Sequence, residues 1–363
     1  MKIAALVAAA TVGDGIFALP YVFYNAGWLV GILYLLVLGA VVAMAHTVYL
    51  KTLEKVGEKE RLLGLSKIYL GSGGFWTGFI AIVIGLLLTL VAYLILGMQF
   101  IHLAFPAVPS GFSFFVFWLL LSIPVFLSDG YVMDLEILGI TCTTAVIVLI
   151  FFTALPNVFF AGIPAINPRN LFLPFGAILF SLAGWTSIEP AYESRRKGAS
   201  TKEPWRALAM GTGLAALLYI MFAAGILGSA PAITPDTASG LLGWPIWKRE
   251  LLAIMGLIAV STVYLPISRE IKNSLEKDLR WHGILSRLLI VFLPPLFIFL
   301  GLNNFLIVVG LVGGLFLSLQ YILIISVGRR ALELSRGAKI ALDLAALAFA
   351  IASVYQIYTF IVR

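Results

Sequence analysis

Charge is scarce in this sequence. Of 363 residues only 11% are charged, whereas 61% are hydrophobic. Soluble domains carry about 25% charged and ~45–50% apolar residues, and one soluble core of this length cannot hide the excess. A soluble fold is therefore excluded, and a lipid bilayer is implied as the solvent. Cysteine is almost absent: Cys142 stands alone in an apolar run, which excludes an intrachain disulfide framework and a cysteine-rich metal site. His46, His102 and His282 are scattered, and no glycine loop of the phosphate-binding kind follows a strand, so enzyme chemistry is not expected. The polar connections are too short for a nucleotide-binding domain, which sets aside pumping by ATP.

What is present is a series of apolar runs. About 20 mostly apolar residues cross the hydrocarbon core as a helix. Eleven such spans are predicted, at 3–25, 28–50, 76–103, 112–127, 132–155, 173–193, 205–228, 250–271, 285–302, 305–327 and 340–361. The fold class is all-α integral membrane, in one transmembrane domain, with the first and sixth spans discontinuous. Met1-Lys2 ahead of a short apolar run reads as the opening of span one and not as a cleaved leader.

The basic residues sort by side. Lys2 and the connections 51–67, 195–206, 269–287 and 329–339 hold all but four of the 24 Lys and Arg residues. Only Arg169, Lys248, Arg249 and Arg363 fall on the other side of an alternating topology. The positive-inside rule then places the N-terminus in the cytoplasm and the C-terminus outside, in a plasma (inner) membrane. The net charge of +7 is thus a topology signal, and no nucleic acid partner is implied. Segment 62–70 is weakly amphipathic and expected along the membrane interface. The loop 230–247, rich in Pro, Gly and Trp, is expected to cap an outer vestibule.

Two spans are interrupted by glycine and proline. Span one reads Thr11-Val12-Gly13-Asp14-Gly15-Ile16-Phe17-Ala18-Leu19-Pro20, and span six reads Ser181-Leu182-Ala183-Gly184-Trp185-Thr186-Ser187-Ile188-Glu189-Pro190. Glycine tolerates non-helical angles, and proline suits the first turn of a restarted helix. Such breaks at matching places in two halves point to a secondary transporter built from inverted repeats. The repeats would be 1–157 and 171–328, with 339–362 as an added span. Uncovered backbone at that depth must line a cavity or be buried in protein. The restarted half of span one would offer N–H groups near Gly15, Ile16 and Phe17 to an anion. The first half of span six would offer carbonyls near Ser181, Leu182 and Ala183 to a cation. A pocket offering both suits a zwitterion.

The stretch Val12-Gly13-Asp14-Gly15-Ile16-Phe17-Ala18-Leu19-Pro20-Tyr21, continuing to Asn25-Ala26-Gly27, resembles the first span of amino acid permeases. Phe175-Gly176 through Phe180 and Gly184 is similar to their sixth span, and Val312-Gly313-Gly314 to their tenth. The resemblance is to the amino acid/auxin and aromatic amino acid permease branches of the amino acid–polyamine–organocation superfamily, which share the LeuT fold. It implies a small, neutral amino acid as substrate. It also implies that Val12, Gly13, Gly15 and Ile16 bind the carboxylate, and that Ser181, Leu182 and Gly184 bind the ammonium. Asp14 departs from the pattern, where a small or weakly polar residue is usual. A carboxylate in mid-membrane costs a few kcal/mol and is functional by default. It is a proton carrier, an anchor for a cationic amino acid or polyamine, or a cap for the restarted helix.

No cofactor is expected beyond a coupling ion, Na⁺ or H⁺. Ser261 and Thr262 in span eight are candidate Na⁺ ligands together with span-one carbonyls, because relatives with the LeuT fold use hydroxyls there. Span five has no lysine among Thr141, Thr143 and Thr144, where some proton-coupled relatives place one. Glu189, with Glu193 on the same face, is a second candidate proton carrier, a gate contact, or half of an interfacial ion pair with Arg195 or Arg196. Asp134, Glu136 and Asp343 read as interfacial. Tyr93 and Trp185 are candidates to shape the side-chain pocket. A non-transporting amino acid sensor is the rival from another class.

Overall fold

A computed structural model describes residues 8, 11–12, 14–57, 60–126, 132–155, 162–196 and 204–362. Among the described residues every regular element is a helix. Six are long and apolar enough to cross a membrane: Trp28–Val56, Leu62–Ala104, Trp205–Leu227, Ile246–Asp278, Phe305–Ala331 and Arg336–Val362. Ser110–Phe126, Gly139–Ala154 and Gly283–Phe299 are shorter apolar helices. The other two predicted spans fall short because they are broken. Span one restarts as a 3-10 turn, Asp14–Ala18, leading into the helix Leu19–Ala26. Span six is divided into Leu173–Leu182, a 3-10 turn at Trp185–Ser187, and Ile188–Arg196. The chain is a multi-pass membrane protein.

Span three is the centre of the bundle, with 83% of its apolar window buried, and Arg336–Val362 is peripheral, with 28%. Ahead of span three, Gly71 adopts φ 74, a conformation open to glycine, and turns the arm that begins at Leu62 away from the span. Span eight starts at Ile246, four residues before the predicted boundary, so Lys248 and Arg249 belong to its first turn. The Lys248 ammonium lies 5.8 Å and 5.5 Å from the ring centroids of Trp244 and Trp247, which hold the cation at the helix end.

Spans three and ten each carry a π turn, at Ile80–Ile84 and Val312–Leu317, and the two turns touch. A π turn opens the hydrogen-bond ladder and frees a carbonyl. The first half of span six lies on span ten with glycine against glycine, Gly176 on Gly313, where a side chain on Gly313 would run into the Gly176 carbonyl.

Contacts gather the basic connections at one end of the bundle, here termed the basic face. Arg61 reaches Glu189 and Glu270, Arg195 pairs with Glu54, Arg329 pairs with Asp343, and Arg330 donates to the Tyr69 carbonyl. The interfacial role expected of Asp343 fits its partner. At the opposite end the loop after span seven folds inward. Thr237, at φ 58, donates its hydroxyl to the Phe17 carbonyl, just ahead of the 3-10 turn Ala238–Leu241.

Candidate substrate site between two broken helices

The two breaks meet. Just ahead of the first break Val12 N–H donates to Ala8 O at 2.7 Å, and the first half of span six ends at Ala183, whose ψ of 102 leaves the helix. A Cβ on Gly15 would stand 2.6 Å from Ser181 Cα and 2.9 Å from Ser181 N; a Cβ on Gly184 would stand 2.5 Å from Thr11 Oγ1. The glycine of each break is thus packed on the end of the other span's first half. Only a residue without a side chain lets the backbone at position 15 approach the Ser181 backbone this closely.

Two carbonyls converge here. Thr11 O and Ser181 O each lie 2.5 Å from Tyr219 Oη, which comes from span seven. A phenol has one proton and satisfies one carbonyl at a time. Ser181 O belongs to the C-terminal end of Leu173–Leu182, where the dipole is negative and a cation is favoured, and Thr11 O joins it from just ahead of the first break.

The candidate residues fall as follows. Val12, Gly15, Ile16 and Phe17 are buried at the first break. Phe17 packs edge-on against Phe100 at 4.6 Å and Phe222 at 5.3 Å. Ser181, Leu182 and Gly184 are buried at the second, and Ala183 is partly buried. The Ser181 hydroxyl donates to Ala177 O in its own helix at 2.8 Å, so its carbonyl faces the site. Tyr93 is buried between Phe180 and Tyr264, each at 6.4 Å between centroids. Gly13 and the Asp14 carboxyl lie outside the described residues, as do the side chains of Asp134 and Glu136.

Trp185 turns away from the carbonyls. Its indole N–H donates to Gln320 Oε1 at 2.5 Å, and Gln320 Nε2 donates to Ala81 O at 2.7 Å, the carbonyl in the π turn of span three. A fully buried glutamine thereby ties the sixth-span break to the core helix. Thr262 Oγ1 donates to Ala259 O in its own helix at 3.0 Å and packs against Gly139 of span five. Ser261 is its half-buried neighbour.

Toward the basic face, Glu189 is clamped. Tyr49 Oη donates to its Oε1 at 2.6 Å, and Arg61 Nη1 lies 3.0 Å from its Oε2 and 2.7 Å from Glu270 Oε2. Burial works against the charge on Arg61, but the pull of Glu270 and Glu189 outweighs it and raises the guanidinium pKa above its ordinary value. The partner of Glu189 is therefore Arg61. The alternative of an ion pair with Arg195 is corrected, because Arg195 is turned to Glu54 on span two. Below this clamp a cavity of about 840 Å³ opens, lined by Arg61, Glu189, Glu193, Lys277 and Asp278 among others.

Tyr219, Gln320, Arg61, Glu270 and Thr237 were not anticipated. Gln320 carried a signal, since an amide in an apolar helix is costly unless paired. Tyr219 carried none, being one of 13 tyrosines.

No family model and no curated protein matches this sequence. Solved structures do. A mutant form of the Eremococcus coleocola manganese transporter superposes with a TM-score of 0.67 at 14% identity, covering 99% of this chain and 87% of that one. The same transporter in complex with an aromatic bis-isothiourea substituted compound gives 0.63 at 14% identity, with the same coverage. MhsT in complex with L-phenylalanine gives 0.65 at 15% identity, covering 99% and 98%. The chain has the LeuT fold. These neighbours are transporters, not enzymes. Among the described residues of this LeuT-fold chain, no group of three or more His, Cys, Asp or Glu side chains is placed to hold a metal ion.

Proposed function

We propose that this chain is a secondary active transporter of small neutral amino acids, working by ion-coupled alternating access with its basic face in the cytoplasm. The observation that carries this reading is the pair of carbonyls at the two breaks, Thr11 O and Ser181 O, converging on a single hydroxyl. A substrate ammonium brings three donors and satisfies both carbonyls together. The amide ends of the restarted halves, from Gly15 to Phe17 above all, face the carboxylate. Aromatic packing around Phe17 and Tyr93 favours an apolar or aromatic side chain. Span halves 1–157 and 171–328 act as the two repeats. The fold of an amino-acid-bound neighbour supports the same reading.

The coupling ion is Na⁺ or H⁺. Ser261 and Thr262 with span-one carbonyls are the Na⁺ candidates, and Asp14 and Glu189 the proton candidates. Arg61 bolts spans six and eight together on the basic face and holds that side closed until the pairs part.

Uptake into proteoliposomes of a labelled amino acid panel, with Na⁺ and H⁺ gradients imposed separately, tests the proposal. Accumulation under either gradient supports it and names the ion. Saturable binding without accumulation would replace it with the sensor. A second reading, a cationic amino acid or polyamine, rests on Asp14 in the first break. It requires that Asp14→Asn abolish cation uptake while neutral amino acids still enter.

A further inference from the structure

A groove of about 440 Å³ opens on the flank of the bundle, at its basic face, between spans two, seven and eleven. Span two lines it with Ala40, Ala43, Thr47 and Lys51 at three- and four-residue steps, one face of the helix. Ala209 of span seven and Leu342 of span eleven stand across from them. The Thr47 hydroxyl is spent on Ala43 O at 2.8 Å, so the walls below Lys51 are apolar. From Lys51 down to Ala40 is roughly 16 Å of helix. That is the depth of one leaflet in a hydrocarbon core about 30 Å thick.

The mouth of the groove is basic. Among the described residues no carboxylate is paired with Lys51, whereas Arg61, Arg195 and Arg329 on the same face each hold one. Arg206 lays its guanidinium 5.3 Å from the ring centroid of Trp205, which stands at the opening. Lys339 follows the lining residue Ala338 and is exposed. Of the acids next to lining residues, Asp343 is paired with Arg329 and Glu333 is exposed. Lys51, Arg206 and Lys339 against Glu333 leave the opening positive. A tryptophan between an apolar wall and a charged rim sits where the head groups of a bilayer begin.

We infer that this groove is a binding site for an anionic phospholipid, with one acyl chain along span two and the phosphate held by Lys51, Arg206 and Lys339. Basic pockets between spans hold anionic head groups, each lysine or arginine being worth about fivefold in affinity. Neither half of the ligand suffices alone. An acyl chain without the charge finds equally apolar surfaces elsewhere on the flank, and a free phosphate leaves the apolar walls unfilled. Head and chain together set this groove apart from the surrounding lipid. Val48, in the same wall, packs on Gly328 of span ten, so the bound lipid lies over the joint of spans two and ten. A ligand held by the folded chain alone stabilises it.

The test is native mass spectrometry of the delipidated full chain, titrated with dioleoylphosphatidylglycerol, with dioleoylphosphatidylcholine, and with inorganic phosphate as the head alone. One phosphatidylglycerol per chain is expected, held about tenfold or more tighter than phosphatidylcholine, and it should raise the melting temperature where phosphate does not. Lys51→Gln and Lys339→Gln should each weaken phosphatidylglycerol about fivefold. Ala209→Leu puts a larger side chain into the groove without touching a charge, and should weaken it too. Lys277→Gln, in the cavity below the Arg61 clamp, should change it by less than about twofold. Melting without lipid shows that each variant is folded. Equal affinity for the two lipids overturns the inference, as does equal stabilisation by inorganic phosphate. Undiminished phosphatidylglycerol binding in Lys51→Gln or in Ala209→Leu overturns it as well, and so does a dimer of the chain that carries no lipid.

Discussion

Arg61→Gln should release the bolt on the basic face. Arg61 is the only cation within salt-bridge distance of Glu189 and Glu270 among the described pairs, and the carboxylate side chains are 8% exposed. Removing one partner of a buried ion pair costs about 3–5 kcal/mol. The Arg61 side chain retains 19% exposure, so water returns part of that, and about 2 kcal/mol is a fair allowance. At about 1.4 kcal/mol per tenfold, the closed state loses roughly 20- to 30-fold in relative occupancy. Ser187 lies behind the bolt and is buried. With the sole cysteine removed as Cys142→Ser, Ser187→Cys reports opening through its reaction with an impermeant maleimide applied from the basic side. Labelling should accelerate about 10- to 30-fold in Arg61→Gln, and by less than about twofold in Arg195→Gln, whose pair with Glu54 is more exposed. Equal labelling rates in Arg61→Gln and its parent would show that the ion pair does not hold the gate.

Gly15→Ala drives a methyl into the backbone of Ser181. It should cost about 1–3 kcal/mol of stability and abolish amino acid binding, whereas Gly213→Ala in span seven, with open space around it, should leave both unchanged by thermal melting and ligand titration. Tyr219→Phe strips the hydroxyl from two buried carbonyls, worth about 1–3 kcal/mol in the empty protein. Because the substrate ammonium replaces that hydroxyl, the stabilisation by bound amino acid should be larger in Tyr219→Phe than in wild type, and a smaller shift would contradict the placement. Gln320→Leu leaves the Trp185 indole and the Ala81 carbonyl unpaired, so it should cost about 2–5 kcal/mol of stability and lower the melting temperature more than Gln356→Leu, at a half-buried glutamine of span eleven.

The helical class, the two interruptions and the sorting of basic residues were legible because each is a local property. An apolar run of fixed length, a glycine-proline interval and a loop charge need no tertiary information. Boundaries slipped where a neighbour decides them. Span eight begins early because Trp244 and Trp247 shelter Lys248, and span three acquires its arm because Gly71 turns the chain. The site was half visible. Its backbone ends were named by Gly15, Ser181 and Gly184, but the groups that complete it arrive from far along the chain. Tyr219 is 208 residues from Thr11, and Tyr321 is 275 from His46. His46 looked scattered because its partner Tyr321 lies far along the chain, and no spacing rule joins the two. Glu189 was recognised as important and assigned partners too close in sequence, since proximity along a helix says little about which arginine a loop delivers.

The contact of Gly176 with Gly313 has a mechanical consequence. Backbone rests on backbone there, with no side chain between to change rotamer, so the first half of span six shares a fulcrum with span ten and is poorly placed to slide. Spin-label pairs across that joint should keep one distance while pairs between Arg61 and Glu189 positions show two. From Gly184 to Glu189 is about five residues, or roughly 7.5 Å of helix. A bend of about 30° at Gly184 carries Glu189 by about 4 Å, beyond reach of Arg61. Access on the basic side then changes by flexing a short lever, and the rest of the sixth span stays seated.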